Sequence, residues 1–268
     1  METYQKRFAE FLADSGVLYF ADNLLLKDGR PTPYFVNMGK LNTGKSIVAL
    51  GDFYADLLVN AHLIEKTDLL FGPSYKGSAI VVATAGSLHR KYGLDLPFEY
   101  DRKEAKAHGE ATGRKKLFVA GAFFDQAKIG FLDDVATSME TKYESLKKIK
   151  EEGENKKIDL SLSYIAIGVD REQTTAIYDE EMPKGLSDIE QTAWKIKHVI
   201  LDAPGEDALR KFTAETNVPV VSISNIADTI NYLFEEKYPL FIDGKKRPLD
   251  DATLEKFKRY LNTYGVGK

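Results

Sequence analysis

The sequence predicts an α/β fold with a mostly parallel central sheet flanked by helices, and three observations predict it. Short apolar runs fit for strands, at 69–72, 97–100, 129–132, 163–169 and 218–223, alternate with longer segments whose apolar residues recur at helical spacing. Two of those runs end in charge, one in Asp133 and Asp134, the other in Asp170, Arg171 and Glu172. In such sheets ligands gather beyond the carboxyl ends of the strands. No internal repeat or low-complexity stretch breaks the alternation, and 268 residues suffice for one domain over 1–268.

In chain order, residues 4–15 put Phe8, Phe11 and Leu12 on one helical face with Gly16 as a stop, and 17–27 reads as extended. Residues 26–46, LKDGRPTPYFVNMGKLNTGKS, contain Gly39, Gly44, Lys45 and Ser46 in the G-x-x-x-x-G-K-S pattern of a nucleotide triphosphatase. A P-loop follows a buried parallel strand, whereas PTPYFVNM, with two prolines and an asparagine, suits an edge or a loop. The spacing of Leu50, Phe53, Tyr54, Leu57 and Leu58 predicts a helix over 46–61 packed on the sheet. The strand at 69–72 runs into GPSYKGSAI, where Gly72 and Gly77 flank Tyr75 and Lys76 before a helix through Leu88. Glycines there let backbone approach a ligand, and Lys76 offers a positive charge; a plain strand-to-helix turn with a surface lysine fits equally.

Residues 101–116, DRKEAKAHGEATGRKK, hold no large apolar side chain, and Arg102, Lys103, Lys106, Arg114, Lys115 and Lys116 outnumber the acids. They read as a long loop, either a solvated charge run or a basic lid over a polyanion hinged at Gly109 and Gly113. The stretch 128–142, KIGFLDDVATSMETK, is the centre of the chain. Asp133 and Asp134 end its apolar run, and Thr137 with Glu140 three residues on has the spacing of a capping box. Acids at a strand end can accept hydrogen bonds from sugar hydroxyls or hold hydrated magnesium, and a helix N-terminus binds phosphate. A solvated strand end with an ordinary cap is the alternative. Beyond it, a helix is expected over 143–149, a polar turn over 151–157, and an insertion without clear periodicity over 178–195 around Pro183 and Gly185. Helices at 206–216, 226–235 and 251–264 complete the chain, the last after a GKK turn.

Composition narrows the chemistry. With 37 basic and 41 acidic residues the net charge is −4, which gives no general attraction to nucleic acid or anionic membrane. There is no cysteine, and the four histidines have no metal-ligand spacing, so magnesium held by oxygens is the metal to expect. Met1 leads into a charged amphipathic segment and no run is long enough to span a bilayer, so a soluble cytoplasmic protein is expected.

Taken together, LKDGRPTPYFVN, GKLNTGKS with the helix ALGDFYADLL, LLFGPSYKG and DRKEAKAHGE resemble the signatures of one family, the orotate phosphoribosyltransferases of the type I phosphoribosyltransferase class. The resemblance runs nearly end to end, with extra residues at 151–157, 179–197 and 239–248. It reassigns GKLNTGKS to an ordinary turn and helix start, and it implies a small hood built from the two ends of the chain. It implies a magnesium-dependent reaction of orotate with 5-phosphoribosyl 1-pyrophosphate (PRPP) that yields orotidine 5′-monophosphate and pyrophosphate in pyrimidine synthesis. By the same resemblance, Asp133 and Asp134 hold the ribose hydroxyls, and Val135, Ala136, Thr137, Ser138, Met139, Glu140 and Thr141 surround the 5′-phosphate. Tyr75 and Lys76 meet the pyrophosphate, and Lys27, Phe35 and Arg171 bind orotate. No protein ligand for the metal is implied, since PRPP and water would hold it. Arg102, Lys103, Lys106 and His108 lie on a loop that closes over the neighbouring subunit of a homodimer.

The chain departs from the family pattern in places. Where the family has Thr-Ala-Gly-Thr-Ala, this sequence has Thr137, Ser138, Met139, Glu140 and Thr141. Loss of the glycine matters if the backbone there takes positive φ, and the expectation is that Glu140 folds back as a cap while Met139 points away. Ala111 and Thr112 replace a Gly-Gly, and Val36 replaces a second aromatic after Phe35. The altered phosphate loop leaves a competing reading, a regulator of the same fold that binds PRPP or a nucleotide without turning it over.

Overall fold

The structure is a computed structural model that describes residues 1–106, 116–136 and 138–267. Its larger sheet has six strands in the order β5-β4-β3-β6-β7-β8, namely β3 (Leu69–Gly72), β4 (Phe98–Lys106), β5 (Lys116–Phe118), β6 (Ala127–Ala136), β7 (Leu160–Asp170) and β8 (Val220–Asn225). All pairings are parallel except β4 with β5. Strand alternation splits its apolar residues between two cores. Leu70, Leu132, Tyr164 and Ala166 face one core with α1 (Thr3–Asp14), α2 (Gly44–Asn60), α3 (Lys76–Tyr92) and α7 (Ile226–Glu235). Leu69, Phe71, Phe131, Ile165 and Ile167 face the other with α4 (Glu140–Lys156) and α6 (Ala208–Thr216). Helices on both faces are what a parallel sheet requires, because both faces are apolar.

The hood is a second sheet of order β10-β9-β1-β2, made from β1 (Leu18–Leu25) and β2 (Pro31–Val36) near the N-terminus and β9 (Leu240–Ile242) and β10 (Lys245–Arg247) near the C-terminus. Helix α8 (Asp251–Tyr264) packs on it through Phe257 and Tyr260, whose rings lie 5.4 and 5.8 Å from Tyr34 of β2. Strand β2, with its two prolines, is the antiparallel edge, and Thr43 caps α2 by accepting from the Ser46 amide at 3.2 Å. GKLNTGKS is therefore a helix start after an edge strand, without the parallel strand a P-loop needs.

Four local expectations give way. Asp133 and Asp134 do not end β6; the ladder with β7 continues to Ala136, because Val135 pairs with Val169. The 101–106 stretch is not loop, since β4 runs on through it and pairs with β5 at Asp101 and Lys106. The 151–157 segment is the end of α4, closed by Lys157 at φ +57° and by Gly153, which packs against the Ile158 carbonyl. The 178–195 insertion holds most of α5 (Asp188–His198), which runs three residues past it and is capped by a Ser187–Glu190 capping box. Asp188 and Glu190 open it and Lys195, Lys197 and His198 close it, in accord with the helix dipole. The S-x-x-E spacing was visible in the sequence, but the charged face hid the helical period.

Candidate active site

The carboxyl ends of β3, β6 and β7 bring the charged residues together. Asp133 and Asp134 are both buried in the carboxyl-terminal part of β6, Asp134 two residues before its end at Ala136. Asp133 accepts the Asp134 amide at 2.9 Å and the Nζ of Lys142 at 2.6 Å; Lys142 also donates to the Val135 carbonyl at 3.0 Å. Burial pushes the Asp133 carboxyl above the usual range while the Lys142 charge opposes it. Asp134 accepts the Val135 amide at 2.9 Å and the ammonium of Lys76, the first residue of α3. Lys142 was not singled out in the sequence. Its signal was position, because it lies on the buried stripe of α4 with Ser145, Ile149 and Gly153.

Between β3 and α3, Tyr75 is exposed and the Ser74–Tyr75 peptide is cis. The turn is tied to β4 by buried Asp101, which accepts the Ser74 amide at 2.7 Å and is paired with Lys148 of α4 at 2.7 Å. The phosphate-loop candidates follow β6. Ala136 is buried, Ser138 and Thr141 are exposed, and Thr137 lies outside the described residues. The capping box expected of Thr137 and Glu140 gives way to an N-cap at Met139, with φ +62°. Met139 does point away from the loop, into the core with Phe131 and Ala136, while Glu140 is exposed as the first helical residue. In the first turn of α4 the Lys142 amide already donates to the Met139 carbonyl at 2.9 Å, and the amides ahead of it are the ones a helix start leaves without intrahelical acceptors.

Opposite this charged corner stands the hood. The β1–β2 hairpin turns through residues 26–30, with Leu26 and Arg30 bonded at 2.9 Å, and exposes Lys27 at its tip. Just past β7, Arg171 is buried, its guanidinium 5.4 Å from the Tyr34 ring, and its Nε and Nη2 have no partner among the described residues. Burial holds the Tyr34 hydroxyl protonated, with its pKa pushed up to about 12 against the opposing Arg171 charge. Phe35, the neighbour of Tyr34 on β2, points to the other face, where its ring lies 6.1 Å from Tyr19. The aromatic beside Arg171 is thus Tyr34 and not Phe35. Arg102 lies on β4 with its Nε buried and without a partner among the described residues, Lys103 and Lys106 fall on the same strand, and His108 lies outside the described residues.

No model of a known protein family matches the sequence. Curated proteins do. An orotate phosphoribosyltransferase of Photobacterium profundum is 32% identical over 266 residues, covering 99% of this chain and 100% of that protein. One from Escherichia coli is 35% identical over 237 residues, 88% of this chain and 91% of that protein. Among solved structures, the Francisella tularensis orotate phosphoribosyltransferase superposes with a TM-score of 0.68 at 30% identity, over 97% of this chain and 99% of that one.

Proposed function

Because the chain belongs to the orotate phosphoribosyltransferase family, we propose that its two charged corners divide one substrate pair, PRPP at β6 and orotate under the hood. The chain is a pentosyltransferase that joins orotate to the ribose of PRPP, giving orotidine 5′-monophosphate and pyrophosphate. The observation that carries the division is Arg171. A buried guanidinium with two unpartnered donors is costly unless an anion completes it, and a planar carboxylate such as orotate's fits that fork.

On the PRPP side, Asp133 and Asp134 accept the ribose hydroxyls, for which Lys76 and Lys142 release or share their oxygens. The α4 amides and Ser138 take the 5′-phosphate. Rupture of the ribose–pyrophosphate bond builds positive charge on the sugar and negative charge on the leaving group. Cations aimed at the pyrophosphate then stabilise the transition state above the ground state. Lys76 is one such cation; Arg102, Lys103, Lys106 and His108 are the others, supplied across a homodimer. Among the described residues no three metal-ligating side chains cluster, and both aspartates are already paired with lysines, so the donor set does not cage an ion. Magnesium would arrive on the pyrophosphate and neutralise its charge. No described helix is long and apolar enough to cross a membrane.

The test is the loss of orotate's ultraviolet absorbance on addition of PRPP and magnesium, with uracil, adenine and hypoxanthine as competing bases. Loss with orotate alone is expected; turnover of another base instead, or silence with all four, overturns the reading.

A further inference from the structure

The hairpin tip that carries Lys27 is not a free loop. At Gly29, with φ +89°, an added β-carbon would lie 2.7 Å from the Lys195 carbonyl oxygen and 2.8 Å from the Ile196 Cα. The backbone of α5 therefore sits directly on the tip. The Tyr178 hydroxyl donates to the Asp28 carbonyl at 3.2 Å, and its ring lies 5.3 Å from that of Trp194. Trp194 in turn stacks on His198 at 4.5 Å, and His198 bonds Asp179 at 2.9 Å. Backbone bonds from Asp179 to His198 at 3.0 Å and from Ile200 to Ile177 at 2.8 Å close the segment into a unit. On the other side of the tip, Arg30 is fixed to the Asp28 carboxylate at 2.6 Å and lies 5.2 Å from the Tyr264 ring of α8.

These contacts mean that the inserted segment and α8 grip one five-residue turn, residues 26–30, from two directions. The charges felt by the Tyr178 hydroxyl are Asp28 and Arg30 of the tip and Glu140 of the first turn of α4. A surface insertion with no part in binding would have no reason to pack its aromatic residues inward on this turn while Ile189, Ile196 and Leu201 stay exposed.

We propose that residues 176–201 form a wall that positions the hairpin tip for a planar, carboxylate-bearing base, with Tyr178 as the positioning residue and Trp194 its support. The inference rests on the function proposed above. Tyr178 touches no reacting atom; it fixes the backbone from which Lys27 reaches the base. A rigid tip has its conformational entropy removed before binding, and a loosened one must be ordered by the base itself.

The experiment is steady-state kinetics on the full chain, varying orotate and PRPP separately, with thermal melts alongside. Tyr178→Phe keeps the ring and removes one hydrogen bond, so KM for orotate should rise about 5-fold, the equivalent of roughly 1 kcal/mol, while KM for PRPP and the melting temperature hold. Trp194→Ala should raise KM for orotate further, in the same ratio to PRPP. Unchanged KM for orotate in Tyr178→Phe, or a rise of both KM values together, overturns the wall. Absence of orotate consumption by the unaltered chain would instead sink the function it rests on, and with it the assignment of the wall to this base.

Discussion

The corner at the end of β6 and the corner under the hood solve opposite problems with charge. Asp133 and Asp134 are buried but satisfied, each holding a lysine and a backbone amide. Arg171 is buried and unsatisfied, with two donors that meet nothing among the described residues. The first corner is stable as it stands and must exchange partners to admit a sugar. The second is strained as it stands, and an anion relieves it. One side is built from ion pairs that compete with ligand, the other from a charge that waits for one.

The largest effect on substrate binding should come from breaking the second corner. Arg171→Met keeps the length and apolar volume of the side chain and removes the guanidinium. Two charge-assisted bonds to a carboxylate are worth roughly 3 kcal/mol together, so KM for orotate should rise on the order of 100-fold with little change for PRPP. Stability should move the other way, because the variant no longer buries an unpaired cation, and the melting temperature should rise. A variant that lost both stability and orotate affinity would mean that Arg171 has a structural partner after all.

Next is the first corner. Lys142→Met strips the partner from Asp133, whose side chain and that of Lys142 are 12% and 5% exposed. Removing one member of a buried pair costs about 3–5 kcal/mol because the other charge is left behind. The sign with pH follows from the direction of the Asp133 shift. Its folded-state pKa is already raised by burial, and loss of the lysine raises it further. The cost therefore grows as pH rises above the unfolded carboxyl's pKa toward the folded one, and shrinks in acid where Asp133 takes a proton. Urea melts of the variant and the parent should converge toward pH 4 and separate toward pH 8. Asp133→Asn on top of Lys142→Met should recover part of the loss at high pH. A pH-independent difference would mean that Lys142 acts by packing alone.

The two corners also differed in how legible they were. The paired acids, the following helix, Lys76 after its strand and Arg171 past β7 all sit at strand ends that hydrophobic runs mark out. Lys142 escaped because a lysine in a helix reads as surface, and only its place on the buried stripe of α4 said otherwise. Tyr34, the ring beside Arg171, was not singled out, since sequence gives the alternation of β2 but not which face turns inward. Helix α5 was missed for a third reason: charged residues on its exposed side mask the period, and what it packs on, the 26–30 turn, is distant in sequence.

The smallest effect tests a departure inside the first corner. Met139 occupies the family's glycine position and does take φ +62°, a conformation that disfavours any side chain by about 1–2 kcal/mol. It is also 2% exposed, packed in the core that holds Phe131. The buried side chain offsets the backbone strain, so Met139→Gly should relieve the one and forfeit the other. Truncation of a buried methionine costs about 2–5 kcal/mol, which leaves a net loss of roughly 1–3 kcal/mol. Met139→Ala forfeits nearly the same packing and keeps the strain. The glycine variant should then be the more stable of the two by about 1 kcal/mol, opposite to their order in a helix interior. Denaturant midpoints measure this directly. If alanine proved the better replacement, the left-handed turn at Met139 would not be the conformation that joins β6 to α4, and the phosphate-side amides of α4 would have to be placed anew.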